Sequence, residues 1–414
     1  MTKFFITLLY AVTRRSSASI TFKNMKKTSI LFLALAAIFL FSAGYISRDY
    51  VSRDTEKLNK ALNQPQKRSN SVEDQSPIKI GWVGPLTGDV AYLGQDSVKS
   101  AQLAVEEVNT AGGVNGRSLE LIIEDGKCSP KDGALAANKL INIDNVPVIL
   151  GGQCSGELLA MAPIAEEKKV VLISGCSSAP TVTNAGDYTF RTYPSDAFRG
   201  VFTADYLANT IGKKKVALLA DLGDWGQGNK NSLSGRFQEL NGQIVVSEDF
   251  VQESRDFRTS IAKIKNSDAE AVLFYGYTEA SLAFLKQAEE LGLNVPLIGG
   301  DTWGDAEIHK NSFAEGIRYP DIVTNFSSAW KKKMEERGIP FSICTPKNYD
   351  NAKIIAEIMN RVGLDSEKIK NELYKVKDYP GVNGVITIDK NGDLASAEYD
   401  MLIVKNGKAE VENE

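Results

Sequence analysis

The chain of 414 residues is too long for one simple domain and leaves room for about two globular units. Its 43% apolar and 24% charged residues are ordinary for a soluble globular protein. A net charge of −4 gives no electrostatic case for nucleic acid as a partner, because that role needs a concentrated basic surface. The short basic runs at Gly212–Val216 and Trp330–Arg337 read as solvated helix ends or faces.

From the amino terminus, Thr28–Ser47 carries no charge, is rich in Leu, Ile, Phe and Ala, and lies between Lys26-Lys27 and Arg48-Asp49. Within residues 1–47, the stretch 28–47 therefore reads as a signal peptide or a transmembrane anchor, and an uncleaved anchor is the reading taken. Ser42-Ala43-Gly44 offers small residues for cleavage, no cysteine stands nearby for lipid attachment, and Met25 suits a start for such a segment. Residues 48–77 are polar and charged and read as a flexible linker. The rest is expected outside the cytoplasm, at the periplasm or the outer face of the membrane.

From Ile78 the pattern alternates strand and helix. IKIGWVG is a strand, Gln95–Ala111 an amphipathic helix with Val98, Ala101, Leu103, Val105 and Val108 inward, SLELIIED a strand and Pro130–Ile143 a helix. Val146–Leu150 and Val170–Ser174 are continuous apolar runs, as expected of parallel strands covered on both faces. Each empties into small hydroxyl residues, Ser155 after the first and Ser177-Ser178 after the second. If both turns feed helix N-termini, their free N–H groups form a cradle for one carboxylate; the alternative is that these serines are ordinary helix caps.

Tyr188–Gly200 breaks the rhythm and marks the exit from the first unit. A second series follows: strand Lys215–Ala220, helix Gly228–Leu240, strand GQIVVSEDF, helix Phe257–Asn266, strand AEAVLFYGY, helix Glu279–Leu291 and strand VPLIGG. Helices Ser328–Arg337 and Asn351–Val362 read as outer helices of the first unit, and GVITIDKNGD with EYDMLIVKNG as a terminal hairpin-like pair turned at DKNGD. The fold class is α/β, with two doubly wound parallel-sheet lobes and a binding crevice at the carboxyl ends of the strands.

In an oxidising compartment four cysteines permit three pairings. Cys128 and Cys154 both follow strand ends separated by one helix, so they are the expected pair, leaving Cys176 and Cys344 as buried free thiols. Enzyme chemistry finds no footing: His309 alone, expected at the surface, furnishes neither a zinc site nor a triad. There is no GxSxG or P-loop, and Gly112–Gly116 and Gly223–Gly228 read as turns permitting positive φ rather than dinucleotide fingerprints. No cofactor and no metal are expected.

IKIGWVGPLTGDVAYLGQD, AVEEVNTAGGVNGRSLELIIEDGKCSP, GGQCSG, ISGCSSAPTVT and FRTYPSD, in that order, resemble the branched-chain (leucine/isoleucine/valine) amino-acid periplasmic binding proteins, type I solute-binding components of ABC importers. The resemblance spans Ile78 to about Gly407. It implies a Venus-flytrap fold with three hinge crossings, lobes of 78–194 with 325–380 and of 195–324 with 381–407, and a tail at 408–414. It also implies a disulfide between Cys128 and Cys154. By the same resemblance Ser155 and Ser178 hold a ligand carboxylate, the Cys176 carbonyl and Asp301 take its ammonium, and Trp225 and Tyr277 close over it. Leu93, beside Tyr92, stands where the family has an aromatic residue over the ligand; Trp225 replaces a commoner tyrosine, Asp301 a glutamate, and Trp303 is expected to close part of the pocket. Taken singly, Asp301 reads as a helix N-cap, Tyr277 as a strand-end aromatic and Trp225 as turn packing. The function so implied is capture of an amino acid for an ABC permease; the alternative is a sensor ectodomain signalling through a separate partner.

Overall fold

The computed structural model describes residues 75–340 and 342–412. The expected signal or anchor at 28–47, the start at Met25 and the linker up to residue 74 lie outside the described residues. Among those described, no helix is long and apolar enough to cross a membrane.

The first sheet has five strands, all parallel, in the order β2-β1-β3-β4-β5: β1 Ile78–Gly84, β2 Leu119–Asp125, β3 Val148–Gly151, β4 Val171–Ser174 and β5 Thr189–Arg191. Between them run α1 (Ala91–Thr110), α2 (Pro130–Asn142) and α3 (Ser155–Lys168). The uninterrupted apolar runs follow from burial on both faces. Trp82, Val148, Leu150 and Ile173 pack into one core, whereas Val83, Ile149 and Leu172 pack into another on the opposite face. All five apolar residues named for α1 are buried. α4 (Asp196–Asp205) then opens the second lobe.

That lobe holds β6 (Lys215–Asp221), α5 (Asp224–Glu239), β7 (Gln243–Phe250), α6 (Arg258–Lys265), β8 (Ala271–Tyr275), α7 (Thr278–Glu290), β9 (Leu297–Gly299), α8 (Ala306–His309) and β10 (Arg318–Ile322). Its seven-stranded sheet runs β14-β13-β10-β9-β8-β6-β7, with β13 (Tyr399–Lys405) and β14 (Lys408–Val411) antiparallel at one edge. Here too alternate residues serve opposite cores: Val216, Leu218 and Leu273 on one side, Ala217, Leu219 and Phe274 on the other. Before β13 the chain returns to the first lobe as α9 (Ser328–Glu336), α10 (Thr345–Val362), α11 (Ser366–Leu373) and the short ribbon β11 (Tyr379–Gly381) with β12 (Gly384–Ile386). α9 and α10 supply Trp330, Met334, Ile355 and Met359 to the first lobe's core, as outer helices should.

Several expectations need correction. GVITI and EYDMLIVK are not partners: β12 pairs with β11, and β13 pairs with β10 and β14. The turn at DKNGD does form, closed by a 2.8 Å bond from the Asp389 N–H to the Asp393 carbonyl. Ile386, Ile388 and Leu394 pack in the first lobe's core, so the last crossing follows Leu394 rather than residue 381. Lys408–Val411 is an edge strand, not a tail. His309 is only 9% exposed, because its Nε2 reaches the Trp303 carbonyl at 2.7 Å and its ring packs on Tyr319.

Candidate functional site

The two sheets bring their carboxyl ends to one crevice. β1 and β3 flank the point where strand order reverses in the first sheet, with β4 next to β3, and β6 and β8 flank the reversal in the second. In open α/β sheets that is where ligands bind. Glycines set the turns there. Gly151 has φ +136°, and a Cβ on it would lie 2.1 Å from the Val83 carbonyl oxygen. The turn after β6 works differently: Gly226 lies in α5 and lacks positive φ, but a Cβ would meet the Asp221 carbonyl oxygen at 2.3 Å. Close approach, not left-handed backbone, is the need for glycine in that string, in contrast to Gly112, Gly113 and Gly116, which do have positive φ.

All seven expected ligand residues line one cavity. Leu93, Ser155, Cys176 and Ser178 come from the first lobe and Trp225, Tyr277 and Asp301 from the second, around a volume of about 20 Å³. Gln153, Cys154, Thr302 and Ile343 complete the lining. That volume holds about one water, so the lobes are closed here.

Ser155 stands at the first position of α3 but does not cap it. Its Oγ accepts from the Ala179 N–H at 3.1 Å and the Ser178 N–H at 3.3 Å, stitching the two turns together. Among the described residues its hydroxyl donates to nothing, which leaves one donor for a ligand. The N–H groups at the head of α3 are served by Glu157, whose Oε2 accepts from Gln153 at 3.0 Å and Cys154 at 3.2 Å, while Oε1 accepts from Cys128 at 2.6 Å. Burial pushes the Glu157 carboxyl up to about 7 against those three bonds. The second turn departs from expectation: Ser178 leads into a 3₁₀ turn at Pro180–Asn184, not an α-helix.

Asp301 is 2% exposed and caps no helix. Its Oδ2 accepts from the Tyr193 hydroxyl at 2.8 Å and from Arg199, while Oδ1 is buried with no partner among the described residues. Arg199 also lies against Asp196, Nη1 to Oδ1 at 2.9 Å, an ion-pair contact without hydrogen-bond alignment. Asp196 in turn accepts from the Ser178 hydroxyl and the Asn229 amide, both at 2.9 Å. Burial raises the Asp196 carboxyl to about 6, with Arg199 pulling it down and Asp301 pushing it up. Burial works against the Arg199 charge, but Asp196 and Asp301 outweigh it and hold the guanidinium charged. Sequence reasoning missed this Asp196–Arg199–Asp301 cluster. Tyr188–Gly200 reads only as the exit from the first unit, whereas Ser195 caps α4 there.

The Trp225 and Tyr277 rings lie 5.0 Å apart and tilted by 32°. Trp303, in contrast, is a core residue of the second lobe, its indole N–H donating to Ser281 at 2.9 Å, and lines neither this cavity nor the larger one described below. The Cys128–Cys154 disulfide is present. Cys176 and Cys344, expected to be free, form a second disulfide with Cα atoms 5.0 Å apart.

Residues 77–409 match the periplasmic binding protein family. This chain belongs to that family. It is 28% identical over 334 residues to the leucine-, isoleucine-, valine-, threonine- and alanine-binding protein of Pseudomonas aeruginosa, covering 78% of this chain and 88% of that one. A Leu/Ile/Val-binding protein homologue of Brucella melitensis is 27% identical over 344 residues, 80% of this chain and 92% of its own. Among solved structures, a leucine-binding protein from Thermotoga maritima superposes with TM-score 0.76 at 28% identity over 81% of this chain and 98% of its own. The branched-chain amino-acid transporter substrate-binding protein from Streptococcus pneumoniae, solved with isoleucine, gives 0.74 at 28% identity over the same shares.

In this periplasmic binding protein further contacts join the two lobes across the cleft. The Tyr92 and Thr278 hydroxyls meet at 2.9 Å; since Thr278 gives its proton to Asp305 at 2.7 Å, Tyr92 is the donor across the cleft. Asp89 pairs with Arg255. The Tyr277 hydroxyl reaches Cys128 Sγ at 3.7 Å, and as the disulfide sulfur has no proton the hydroxyl donates. The family is one of binding proteins, and the cleft is read as a binding site rather than a catalytic one.

Proposed function

We propose that this protein captures an α-amino acid between its lobes, outside the cytoplasm, and delivers it to the permease of an ABC importer. The observation that carries this reading is the single cavity in which Ser155, with an unspent hydroxyl donor, faces across the lobes to Asp301, with an unpartnered carboxylate oxygen. A zwitterion satisfies both poles at once. Its carboxylate takes the Ser155 hydroxyl, since the Ser178 hydroxyl and N–H are spent on Asp196 and Ser155, and its ammonium takes Asp301 Oδ1 and the Cys176 carbonyl. Trp225 and Tyr277 cover the ligand backbone. The relatives named for leucine, isoleucine and valine binding support an amino acid as ligand. With room for about one water when closed, the cleft must open to load, and contacts made on both lobes then draw it shut. The apolar segment 28–47 directs export or holds the protein at the outer face of the membrane.

A thermal-shift panel of the twenty amino acids on protein unfolded and refolded to strip ligand tests this. A ligand that binds only the native state at a hundred times its Kd stabilises by about 2.7 kcal/mol. At least one amino acid should raise Tm, while its decarboxylated amine and its deaminated acid should not. A panel without any shift would remove the amino-acid reading.

A further inference from the structure

α5 of the second lobe packs against α3 and the 3₁₀ turn of the first. It carries glycines at 226, 228 and 235, and inside a helix each of them weakens the helix relative to alanine. Gly226 is required by its approach to the Asp221 carbonyl. Gly235 is exposed, and a Cβ there would meet nothing within 4 Å. Gly228 is buried, and what it faces belongs to the other lobe. A Cβ on it would lie 2.8 Å from Pro180 Cδ and 3.4 Å from Ala179 Cβ, and a proline ring has no flexible end to swing aside. Gly156, at the head of α3, repeats the pattern: its Cβ would lie 3.2 Å from Asp224 Oδ2 of α5.

This seam stands beside the first crossing, where the Asp196 N–H donates to the Ser178 carbonyl at 2.8 Å. A small wedge beside a hinge is magnified farther out along the cleft. There Tyr92 and Asp305 line a larger cavity of about 420 Å³ that shares Leu93 and Ile343 with the small one. Thr278 joins the two residues, accepting from Tyr92 at 2.9 Å and donating to Asp305 at 2.7 Å. Asp89 and Arg255 also pair across the cleft, but both are more than a third exposed and the pair weighs little. The closed lobes thus hold each other through protein groups alone, by a tight seat at Gly228 and a hydrogen bond at Tyr92.

We propose that Gly228 is a positioning residue for closure: its missing side chain lets α5 seat on Ala179-Pro180, and that seat, with the Tyr92–Thr278 bond, keeps a measurable share of the ligand-free protein closed. A ligand then captures a form already present, and its affinity follows the size of that share. This goes beyond the amino-acid reading and holds for whatever small molecule the cleft takes.

Acrylamide quenching of tryptophan fluorescence reads closure in the full chain, stripped of ligand by unfolding and refolding. Of the four tryptophans, Trp82, Trp303 and Trp330 are buried in the lobes' own cores, whereas Trp225 lines the cleft and loses cover when the lobes part. Gly228→Ala should open Trp225 to the quencher without lowering Tm, since each lobe keeps its core. Gly235→Ala, with the same gain in helix propensity, should quench as the wild type does. Tyr92→Phe, one hydrogen bond poorer, should lower the ratio of closed to open forms about fivefold. Wild-type quenching in Gly228→Ala or in Tyr92→Phe would overturn the inference. So would a Gly228→Ala protein that melts lower or does not fold, because the seat would then belong to the fold and not to closure.

Discussion

Ser155 and Asp301 stand at opposite poles of one cavity, yet buried polar contacts join them. Ser155 accepts from the Ser178 N–H, the Ser178 hydroxyl donates to Asp196, and Asp196 and Asp301 share Arg199. Ser155 of the first lobe is thus tied to Asp301 of the second through one guanidinium. Asp301→Ala is consequently not a clean probe of binding. It would leave Arg199 with one carboxylate, and breaking a buried ion pair costs roughly 3–5 kcal/mol. Asp301→Asn keeps the shape and the bond to Tyr193 while removing the charge. We expect it to weaken amino-acid binding at least tenfold in calorimetry with a smaller loss of Tm than Asp301→Ala; unchanged affinity would remove Asp301 from the ammonium pole. Ser155, Ser178 and Asp301 reach one cavity because each follows a strand that ends at the crevice, although Asp301 is singled out by the family resemblance and by itself reads as a helix cap. Asp196 and Arg199 were not legible in the sequence, since only packing turns that first turn of α4 inward, and His309 misled because Lys310 beside it is exposed although the imidazole faces Trp303 and Tyr319.

At the scale of elements the βα series was readable because strands covered on two faces leave unbroken apolar runs, and because glycines mark the turns. Pairing at the end of the chain was not. A hydrophobic strand does not announce its partner, and β13 pairs with β10, which precedes it by some eighty residues of first-lobe structure. The cysteines divide the same way. Cys128 and Cys154 are 26 residues apart on neighbouring strand ends, whereas Cys176 and Cys344 are 168 apart and meet only because α10 docks its amino end beside β4. This second bridge fastens the turn bearing Ser178 to the segment bearing Ser342 and Ile343, which line the larger cavity. Unreduced, denatured protein should therefore show no free thiol. Replacing both Cys176 and Cys344 with serine should lower stability by about 2–4 kcal/mol in denaturant titration. Two reactive thiols in the unreduced protein would refute the second bridge.

For the whole molecule, buried acids set the response to pH. Burial lifts Glu157 and Asp321 to about 7, and Asp196, Asp221 and Asp350 to about 6. In the unfolded chain these groups release their protons near pH 4. Between those limits the folded protein holds more protons than the unfolded chain, so unfolding free energy falls as pH rises. From pH 7.5 to 5.5 each group near 7 adds up to roughly 2 kcal/mol to the folded state. Carboxylates of the opposite kind, such as Glu107 beside Lys333 and Tyr349 and Asp125 under the bonds of Thr87 and Leu86, are held below their ordinary values, and their contribution disappears only as pH drops through those depressed values. The two classes act in different windows, so the stability maximum belongs near pH 5, on the acid side of neutrality. Ligand-free protein scanned by calorimetry should melt several degrees higher at pH 5.5 than at pH 7.5 and lose that gain below about pH 4. A Tm that is level or falls between pH 7.5 and 5.5 would mean that these acids are ionised in the folded protein, the cleft being wetter than its closed form allows.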